Sequence, residues 1–306
     1  MKAAQFSRFG GPEVLEIVDL PEPHPGPGQI RIVVHAAGIN ATEWKLRKGL
    51  LSFGAGLPQT TGRDVAGVVD QLGAGVTDVV VGDRVFGVSD DGAGAAELAL
   101  LTHRAPIPSS LGFVDAAGLP VALETATRSL DELKVGSGTT LLINGAAGGI
   151  GSTAVQLAVA RGARVIGTAS TAKHEYLQLL GAEPVNYGQG MAERVRTLAP
   201  DGVDAALDIA GSGVLPELID LAGGPQNVVT LADIDGARQH EVRFSNGFHG
   251  HAFHALHDVG ALIEAGRFWL GVDRTYPLHK ISEAHRVSER GHVRGRLVLV
   301  TRGGTA

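Results

Sequence analysis

The fold of this chain follows above all from Leu141-Leu142-Ile143-Asn144-Gly145-Ala146-Ala147-Gly148-Gly149-Ile150-Gly151. The apolar start is typical of a buried strand, the small residues predict a tight turn, and a helix is expected to begin near Ile150. Such a turn lets a ligand approach the backbone, and a helix N-terminus offers unpaired N–H groups to a phosphate. Ala146-x-Gly148-x-x-Gly151 is the dinucleotide-binding fingerprint with alanine first. A dinucleotide site is therefore predicted here.

The strand after the fingerprint indicates which dinucleotide is bound. NAD-preferring folds place an Asp or Glu about 20 residues beyond the glycines, where it holds the ribose 2′-hydroxyl. This chain has Thr168-Ala169-Ser170 in that region, with Lys173 just beyond. Ser170 and Lys173 can donate hydrogen bonds to a 2′-phosphate, so NADPH is the predicted cofactor. Alternatively, Ser170 only caps the next helix and Lys173 is a solvated surface lysine.

Composition limits the class of protein. The chain has 306 residues, which favours two domains, and 44% of them are hydrophobic, which is enough for a sizeable core. The formal net charge is −6 without any Lys/Arg run, which argues against nucleic-acid and anionic-membrane partners. The chain has no cysteine, so disulfides and Cys-ligated zinc are excluded.

Neither the start of the sequence nor its apolar stretches indicate a targeting signal. The start, Met1-Lys2-Ala3-Ala4-Gln5-Phe6, is strand-like and carries no signal peptide, and no apolar stretch approaches the roughly 20 residues that span a bilayer. A cytoplasmic location is expected.

The chain shows two successive patterns of predicted secondary structure. Up to about residue 118, strands such as Gln29–Ala37 and Asp64–Leu72 alternate with turns, which predicts a compact, barrel-like β domain. From about Leu119, strands alternate with helical patterns, which predicts a parallel sheet covered by helices. Its strands are expected at Thr139–Asn144, Arg164–Thr168, Pro184–Asn186, Ala205–Asp208 and Val228–Leu231. The final apolar run, Gly295–Val300, is expected to return to the β domain.

Several motifs resemble the medium-chain dehydrogenase/reductase superfamily, and within it the zinc-lacking quinone oxidoreductase branch. They occur in the order typical of that family and cover nearly the whole chain: Ala36-Ala37-Gly38-Ile39-Asn40, Gly62-Arg63-Asp64-Val65-Ala66-Gly67, Val81-Gly82-Asp83-Arg84-Val85-Phe86-Gly87, Gly145–Gly151, Gly181-Ala182-Glu183-Pro184-Val185-Asn186-Tyr187 and Gly295-Arg296-Leu297-Val298. The resemblance implies an α/β protein of two domains. A GroES-like β-barrel catalytic domain would comprise residues 1–118 and 269–306, and a doubly wound Rossmann NADPH-binding domain residues 119–268, with the active site in the interdomain cleft.

The same resemblance implies positions for the cofactor. It places the pyrophosphate on Gly148, Gly149 and Ile150. It places Ser170, Lys173 and Tyr187 around the 2′-phosphate, although Tyr187 can equally be a half-buried aromatic residue at a strand end. Four further residues would lie along the nicotinamide half: Asn40, Thr125, Ala210 and Leu231. Of these, Asn40 is also predicted to be a catalytic residue.

Zinc-dependent relatives have Cys where this chain has Asn40 and Gly-His-Glu where it has Gly62-Arg63-Asp64. Both changes remove metal ligands, so no metal is predicted. Without a Lewis acid to polarise an alcoholate, alcohol oxidation loses its usual route. NADPH-dependent reduction of a quinone or an α,β-unsaturated carbonyl is therefore the expected reaction.

The proton source is not apparent from the sequence. Trp44 can stack on a flat quinone or enone and Lys45 can stabilise an enolate; alternatively, both belong to an amphipathic helix with Trp44 half-buried. Solvent is another possible proton source. His249, which precedes His251, His254 and His257, is a candidate substrate-side proton donor. On a helix these histidines share faces and could hold a metal, or they are simply structural.

Three readings of the function stay open. The first is a general quinone or enone reductase, and its narrower form is a pathway-specific enoyl reductase. The second is a non-catalytic NADPH-binding protein. The third, an alcohol dehydrogenase, would use a metal at the histidines. A homodimer is expected, with Gly224–Asp233 as the sheet edge that pairs.

Overall fold

The computed structural model describes residues 1–52, 54–291, 293 and 295–301, and it divides into two compact units. Unit 1 comprises Met1–Val121 and Leu256–Ala306, and unit 2 comprises Ala122–Ala255. Unit 2 therefore ends well before residue 268, the predicted end of the cofactor domain. Which function belongs to which unit stays a prediction.

The elements are numbered in chain order. Those up to the fingerprint are β1 (Lys2–Phe6), β2 (Glu16–Asp19), β3 (Ile30–Ile39), α1 (Ala41–Arg47), β4 (Gln59–Thr60), β5 (Asp64–Leu72), β6 (Arg84–Val88), β7 (Leu98–Leu101), β8 (Arg104–Pro106), α2 (Phe113–Ala116), α3 (Pro120–Glu132) and β9 (Thr140–Asn144). The rest are α4 (Gly149–Ala160), β10 (Arg164–Ala169), α5 (His174–Leu179), β11 (Glu183–Asn186), α6 (Met191–Leu198), β12 (Ala205–Asp208), α7 (Leu215–Leu221), β13 (Val228–Thr230), α8 (Ile234–His240), β14 (Arg243–Phe244), α9 (Ala255–Glu264), β15 (Val272–Pro277), α10 (Ile281–Arg290) and β16 (Arg296–Val300). Among the described residues, no helix is both long and apolar enough to cross a membrane.

Unit 1 is built on a sheet of seven strands. Six of them follow the order β15-β16-β3-β5-β6-β8, while β7 pairs with β3, and a smaller sheet has the order β2-β1-β4. Ile30, Ile32 and Val34 of β3 are fully buried and alternate with less buried residues, the period expected of a strand with one face on a core. The predicted return of the C-terminal strand is confirmed, because β16 pairs antiparallel with β3.

Unit 2 is a parallel sheet of six strands in the order β11-β10-β9-β12-β13-β14. Read in order of occurrence this is 3-2-1-4-5-6, the order of doubly wound dinucleotide-binding folds. Leu141, Leu142 and Ile143 of central β9 are fully buried, as expected for a strand covered on both faces. The order reverses between β9 and β12, and ligands of such sheets bind at the carboxyl ends beside that point.

The predicted sheet edge is wrong. Gly224–Asp233 contains β13, which pairs with β12 on one side and with β14 on the other. The sequence-based interpretation missed β14 because Arg243–Phe244 is only two residues long. In the described part of the chain, β14 is the outer strand on this side of the sheet.

Candidate active site

The glycine turn of unit 2 forms a cradle without side chains. Gly145 has a φ of +85°, which favours glycine. A Cβ on Gly151 would lie 2.2 Å from the Gly145 carbonyl oxygen, so only glycine lets α4 approach the turn this closely. Gly148 is the N-cap of α4 and has no side chain to cap the helix, while a Cβ there would meet only the Gly145 oxygen, at 3.7 Å. The helix N-terminus is thus left open to an anion, which fits a pyrophosphate.

A buried hydrogen-bond network links the carboxyl ends of four strands. Asp208 ends β12, and its Oδ1 accepts from Asn144 Nδ2 at 2.9 Å, while its Oδ2 accepts from Thr230 Oγ1 at 2.8 Å. Asn144 Oδ1 in turn accepts from Thr168 Oγ1 at 2.8 Å. All four side chains are at most 4% exposed. The network ties β10, β9, β12 and β13 together where the strand order reverses.

The same network fixes three loops. Thr168 Oγ1 accepts from the backbone N–H of Gly145 at 3.0 Å, and Asp208 Oδ1 accepts from that of Gly211 at 2.9 Å. Thr230 Oγ1 accepts from the N–H of Ala232 and of Asp233, both at 3.2 Å. The predicted cofactor residues Ala210 and Leu231 lie within these loops. The network residues themselves were missed, although each is a polar residue at the end of a predicted strand.

The predicted 2′-phosphate residues follow two neighbouring strands. Ala169 of β10 is paired with Asn186 of β11, so Ser170 and Tyr187 both leave the same edge of the sheet. Ser170 occupies the N-cap position that the alternative interpretation gives it, but its side chain makes no capping hydrogen bond. Tyr187 is 60% exposed rather than half-buried. Lys173 ends the short 3-10 turn that begins at Thr171.

Arg194 of α6 supports this corner of unit 2. Its guanidinium donates to the carbonyl oxygens of Asn186 at 2.8 Å and of Tyr187 and Gly188 at 3.4 Å each. The Arg194 guanidinium therefore holds the loop that carries Tyr187, while Tyr187 itself stays exposed.

Thr125 lies in a buried polar cluster of unit 2. Its Oγ1 donates to Glu124 Oε2 at 3.1 Å, and Arg128 Nε donates to Glu124 Oε1 at 2.7 Å. Arg128 also donates to Ser245 Oγ, just after β14, and His251 Nδ1 lies 3.0 Å from Glu124 Oε1. Burial raises the pKa of Glu124, but Arg128 and then His251 more than offset this, so its pKa is lowered overall. Glu124 is thus an anchored carboxylate.

The predicted helical arrangement of the histidines is wrong. Helix α9 begins only at Ala255, so His249, His251 and His254 lie in a loop, and Gly247 and Gly250 have positive φ values of +84° and +123°. His249 is exposed, whereas His251 contacts Glu124. Within residues 1–52, 54–291, 293 and 295–301, no group of three or more His, Asp or Glu side chains is arranged to hold a metal.

Asn40 of unit 1 is part of a buried charged cluster. Its Oδ1 accepts from Arg296 Nη2 at 2.7 Å, and its Nδ2 donates to Asp64 Oδ2 at 3.0 Å and to Glu43 Oε1 at 3.3 Å. Arg296 Nη2 also lies 2.6 Å from Asp64 Oδ2. The Asn40 amide is therefore engaged on both atoms, and its predicted catalytic and cofactor roles stay predictions.

Burial dominates the electrostatics of this cluster. Desolvation, and then the neighbouring charge of Asp64, raise the pKa of Glu43 to about 7. Desolvation also raises the pKa of Asp64, although Arg296 opposes the rise. His285 Nε2 lies 3.9 Å from Glu43 Oε2, and burial together with Arg47 lowers the pKa of His285 to about 3. Near neutral pH the imidazole is therefore uncharged, and Glu43 is close to half protonated.

Trp44 of α1 is half-buried and lies among cations. Lys45 Nζ is 5.8 Å and Lys48 Nζ is 5.4 Å from the centre of its ring, which is within the range of cation–π attraction. Lys45 is thus held near the indole rather than extended into solvent. An aromatic surface with adjacent positive charge suits a flat, electron-poor carbonyl compound.

Two family models match the chain. That of the alcohol dehydrogenase GroES-like domain covers residues 26–122, and that of the zinc-binding dehydrogenases covers residues 180–299. Among curated proteins, the chain is 32% identical to the quinone oxidoreductase of Rattus norvegicus, over 93% of each chain. It is 31% identical to the NADPH-dependent alkenal/one oxidoreductase of Arabidopsis thaliana, over 98% of this chain and 79% of that protein.

Solved structures show the same likeness. The quinone oxidoreductase from Coxiella burnetii is 34% identical and superposes with a TM-score of 0.86 over 99% of each chain. A mycobacterial protein in complex with NADPH is 27% identical, with a TM-score of 0.84 over 98% of this chain and all of that one.

Proposed function

The chain belongs to the medium-chain dehydrogenase/reductase superfamily, in its quinone oxidoreductase branch, and from that premise we propose that it reduces quinones or α,β-unsaturated carbonyls with NADPH and without zinc. It is an oxidoreductase of the nicotinamide-dependent class. The predicted fold class is confirmed: a GroES-like domain accompanies a doubly wound Rossmann domain.

The end of β10 supports the choice of NADPH. No carboxylate stands at the position that would repel a 2′-phosphate, and the Ser170 hydroxyl is not consumed by the helix it precedes. Tyr187 is exposed beside it on the next strand end. The Ser170 hydroxyl, which makes no capping hydrogen bond, is the observation that carries this part of the proposal, since a hydrogen bond to a charged group contributes about 1.5–3 kcal/mol.

The Asn40 cluster supports catalysis without zinc. Asn40 stands where zinc-dependent relatives have Cys, and Asp64 stands where they have the Glu of Gly-His-Glu. In this chain both residues are hydrogen-bonded to the Arg296 guanidinium. A fixed cation therefore already neutralises this carboxylate. Asn40 also lacks the thiolate that makes such a site bind zinc strongly.

The residues of the chain hold the cofactor and prepare the acceptor. NADPH, when bound, supplies the hydride. The N-terminus of α4 at Gly148–Ile150 binds the pyrophosphate, and Ser170, Lys173 and Tyr187 bind the 2′-phosphate. The network around Asp208 holds the loops of Ala210 and Leu231 in place along the nicotinamide half. Trp44 and Lys45 receive the flat acceptor and stabilise the charge that develops on its oxygen.

NADPH oxidation by chelator-treated protein tests this proposal, with 1,4-benzoquinone, 9,10-phenanthrenequinone, an enone and an enal as acceptors. We expect turnover with NADPH and little with NADH. Ser170→Asp should raise the KM for NADPH at least about tenfold and leave that for NADH nearly unchanged, because it loses one charged hydrogen bond and adds a repulsion.

Ser137→Asp is the matched control, since it adds the same charge at an exposed turn before β9. Equal use of NADH and NADPH by the wild type would contradict the cofactor assignment. Saturable NADPH binding without turnover of any acceptor would favour a pathway-specific enoyl reductase or a non-catalytic NADPH-binding protein. The homodimer stays a prediction, and light scattering that gives a 31.6 kDa particle would refute it.

A further inference from the structure

Glu124 and His251 form a carboxylate–imidazole pair that brings together residues 127 positions apart in the chain. Glu124 Oε1 lies 3.0 Å from His251 Nδ1. The glutamate side chain is 7% exposed and that of the histidine 43% exposed. A buried carboxylate thus holds one nitrogen of an imidazole that stays accessible. An imidazole held in this way presents its other nitrogen, Nε2, for proton transfer.

The imidazole is fixed on its other sides as well. The Phe253 ring stacks on it, with ring centres 4.8 Å apart and planes at 24°. Gly247 lies against it, and a Cβ there would be 2.4 Å from His251 Cε1. Both the carboxylate and the packing therefore hold one ring orientation.

Glu124 is itself anchored against movement. Besides His251, it accepts from Arg128, from Thr125 Oγ1 and, at 3.4 Å, from the backbone N–H of Ala252. Arg128 is the charged group that faces it from the same helix, and it is buried. The pair of Glu124 and Arg128 is close to neutral overall, so the carboxylate orients the imidazole without a large uncompensated charge.

The pair lies on the half of the sheet that serves the nicotinamide. The fingerprint, Ser170 and Tyr187 follow β9–β11, which assigns the adenosine end to that half. Ser245 follows β14 on the other half, where its N–H donates to the Thr230 carbonyl oxygen and its Oγ accepts from Arg128. Thr125, a predicted nicotinamide contact, is adjacent to Glu124 and bonded to it.

We propose that His251, oriented by Glu124, is the general acid that protonates the reduced substrate; the inference rests on the proposed function. An enone that gains a hydride from NADPH forms a new C–H bond at its β-carbon, and its C=C electron pair moves toward the carbonyl to leave an enolate. The cofactor is oxidised to NADP⁺. The Nε2–H bond of the imidazolium then breaks, and its proton forms a C–H bond at the α-carbon of the enolate, which gives the saturated ketone. Neutral His251 keeps the proton on Nδ1, which donates a hydrogen bond to Glu124. Its Nε2 then takes a new proton from solvent.

Replacement of the histidine tests this role. His251→Gln should lower kcat for an enone about 100-fold, the range of general acid catalysis, with the Kd for NADPH within about twofold of the wild type. The wild-type kcat should fall as the pH rises, because only the imidazolium donates, and the variant should lack this fall. Added imidazole should restore part of the activity of His251→Ala.

His257→Gln is the matched control, because His257 is an exposed histidine of α9 a few residues away. A His251→Gln variant with wild-type kcat and pH profile would overturn the proposal and indicate that solvent supplies the proton. A loss confined to His249→Gln would overturn it in favour of the residue indicated by the sequence.

A measurement without turnover separates this inference from the proposed function. The ¹⁵N spectrum of the unliganded protein should show that neutral His251 carries its proton on Nδ1, because a carboxylate cannot donate to that nitrogen. A proton on Nε2 would overturn the orientation by Glu124, whatever the activity. Absence of turnover by the wild type would instead refute the proposed function and the acid role with it, even if the Nδ1 tautomer is found.

Discussion

The stability of the folded protein depends on whether the Glu43 carboxyl group is protonated. It is 3% exposed, it accepts from Asn40, and its neighbours include the second carboxylate, Asp64, and the uncharged His285. No cation pairs directly with Glu43 in the described part of the cluster, since Arg296 bonds to Asp64 and Asn40. Its pKa of about 7 in the folded chain, against 4.5 ordinarily, means that folding favours the protonated form.

The stability of the protein should therefore contain a term that falls with pH. Between pH 4.5 and about 7 the folded chain keeps the Glu43 proton that the unfolded chain has lost, so stability falls across this window and the loss is complete above it. Its size is about 3 kcal/mol by linkage. Glu43→Gln removes this term. The Tm of the variant minus that of the wild type, measured by scanning fluorimetry, should therefore be larger at pH 8 than at pH 5.

The comparison of variant with wild type cancels the contributions of titrating groups that do not interact with Glu43. Glu175→Gln, at an exposed position of α5, is the control and should show the same Tm difference at both pH values. A Tm difference for Glu43→Gln that is equal at pH 5 and pH 8 would show that Glu43 titrates normally.

At the scale of elements, two glycines at the start of α4 are explained by different physical reasons. Gly151 is required because a Cβ added there would lie only 2.2 Å from the Gly145 carbonyl oxygen. Gly148 has room for a Cβ and an ordinary φ of −84°, so its glycine leaves space for something outside the chain. The fold requires Gly151, and we expect that a ligand requires Gly148.

Two alanine substitutions distinguish these reasons. Gly148→Ala should leave Tm within a few degrees of the wild type and weaken NADPH binding about tenfold or more, because a methyl group stands at the pyrophosphate cradle. Gly151→Ala should lower Tm by itself, since overpacking costs about 1–3 kcal/mol. Gly260→Ala in α9, where a Cβ meets nothing within 4 Å, is the control. Unchanged NADPH affinity in Gly148→Ala would place the cofactor elsewhere.

Sequence patterns predicted the elements with long or distinctive signals. The fingerprint, β5 and β12 are found where expected, because each depends on a run of adjacent residues. Short β14 and the start of α9 at Ala255 were not predicted, because Arg243–Phe244 has no periodicity and the histidine-rich loop contains no clear helix start. The Glu124–His251 pair was missed for another reason: only the folded sheet brings the two residues together.

At the scale of the whole molecule, the cofactor and not a metal should control stability. Saturating NADPH should raise Tm, since a ligand at 100 times its Kd contributes about 2.7 kcal/mol, and NADH at the same concentration should raise it less. Overnight treatment with EDTA should leave both Tm and turnover unchanged. Loss of activity on chelation, with recovery on adding Zn²⁺, would show that the protein is a metal-dependent dehydrogenase.

The interrupted course of unit 1 has a consequence for how the protein is made. Unit 2, residues 122–255, is inserted within unit 1, and β3 pairs with β16 through Ala36–Ile39. At about 5–20 residues per second, a ribosome finishes β16 on the order of tens of seconds after β3. The nascent chain therefore carries a complete unit 2 beside an unfinished unit 1 whose strand still lacks its neighbour. Throughout this interval of synthesis, the backbone groups of Ala36–Ile39 that later pair with β16 have no neighbouring strand on that side.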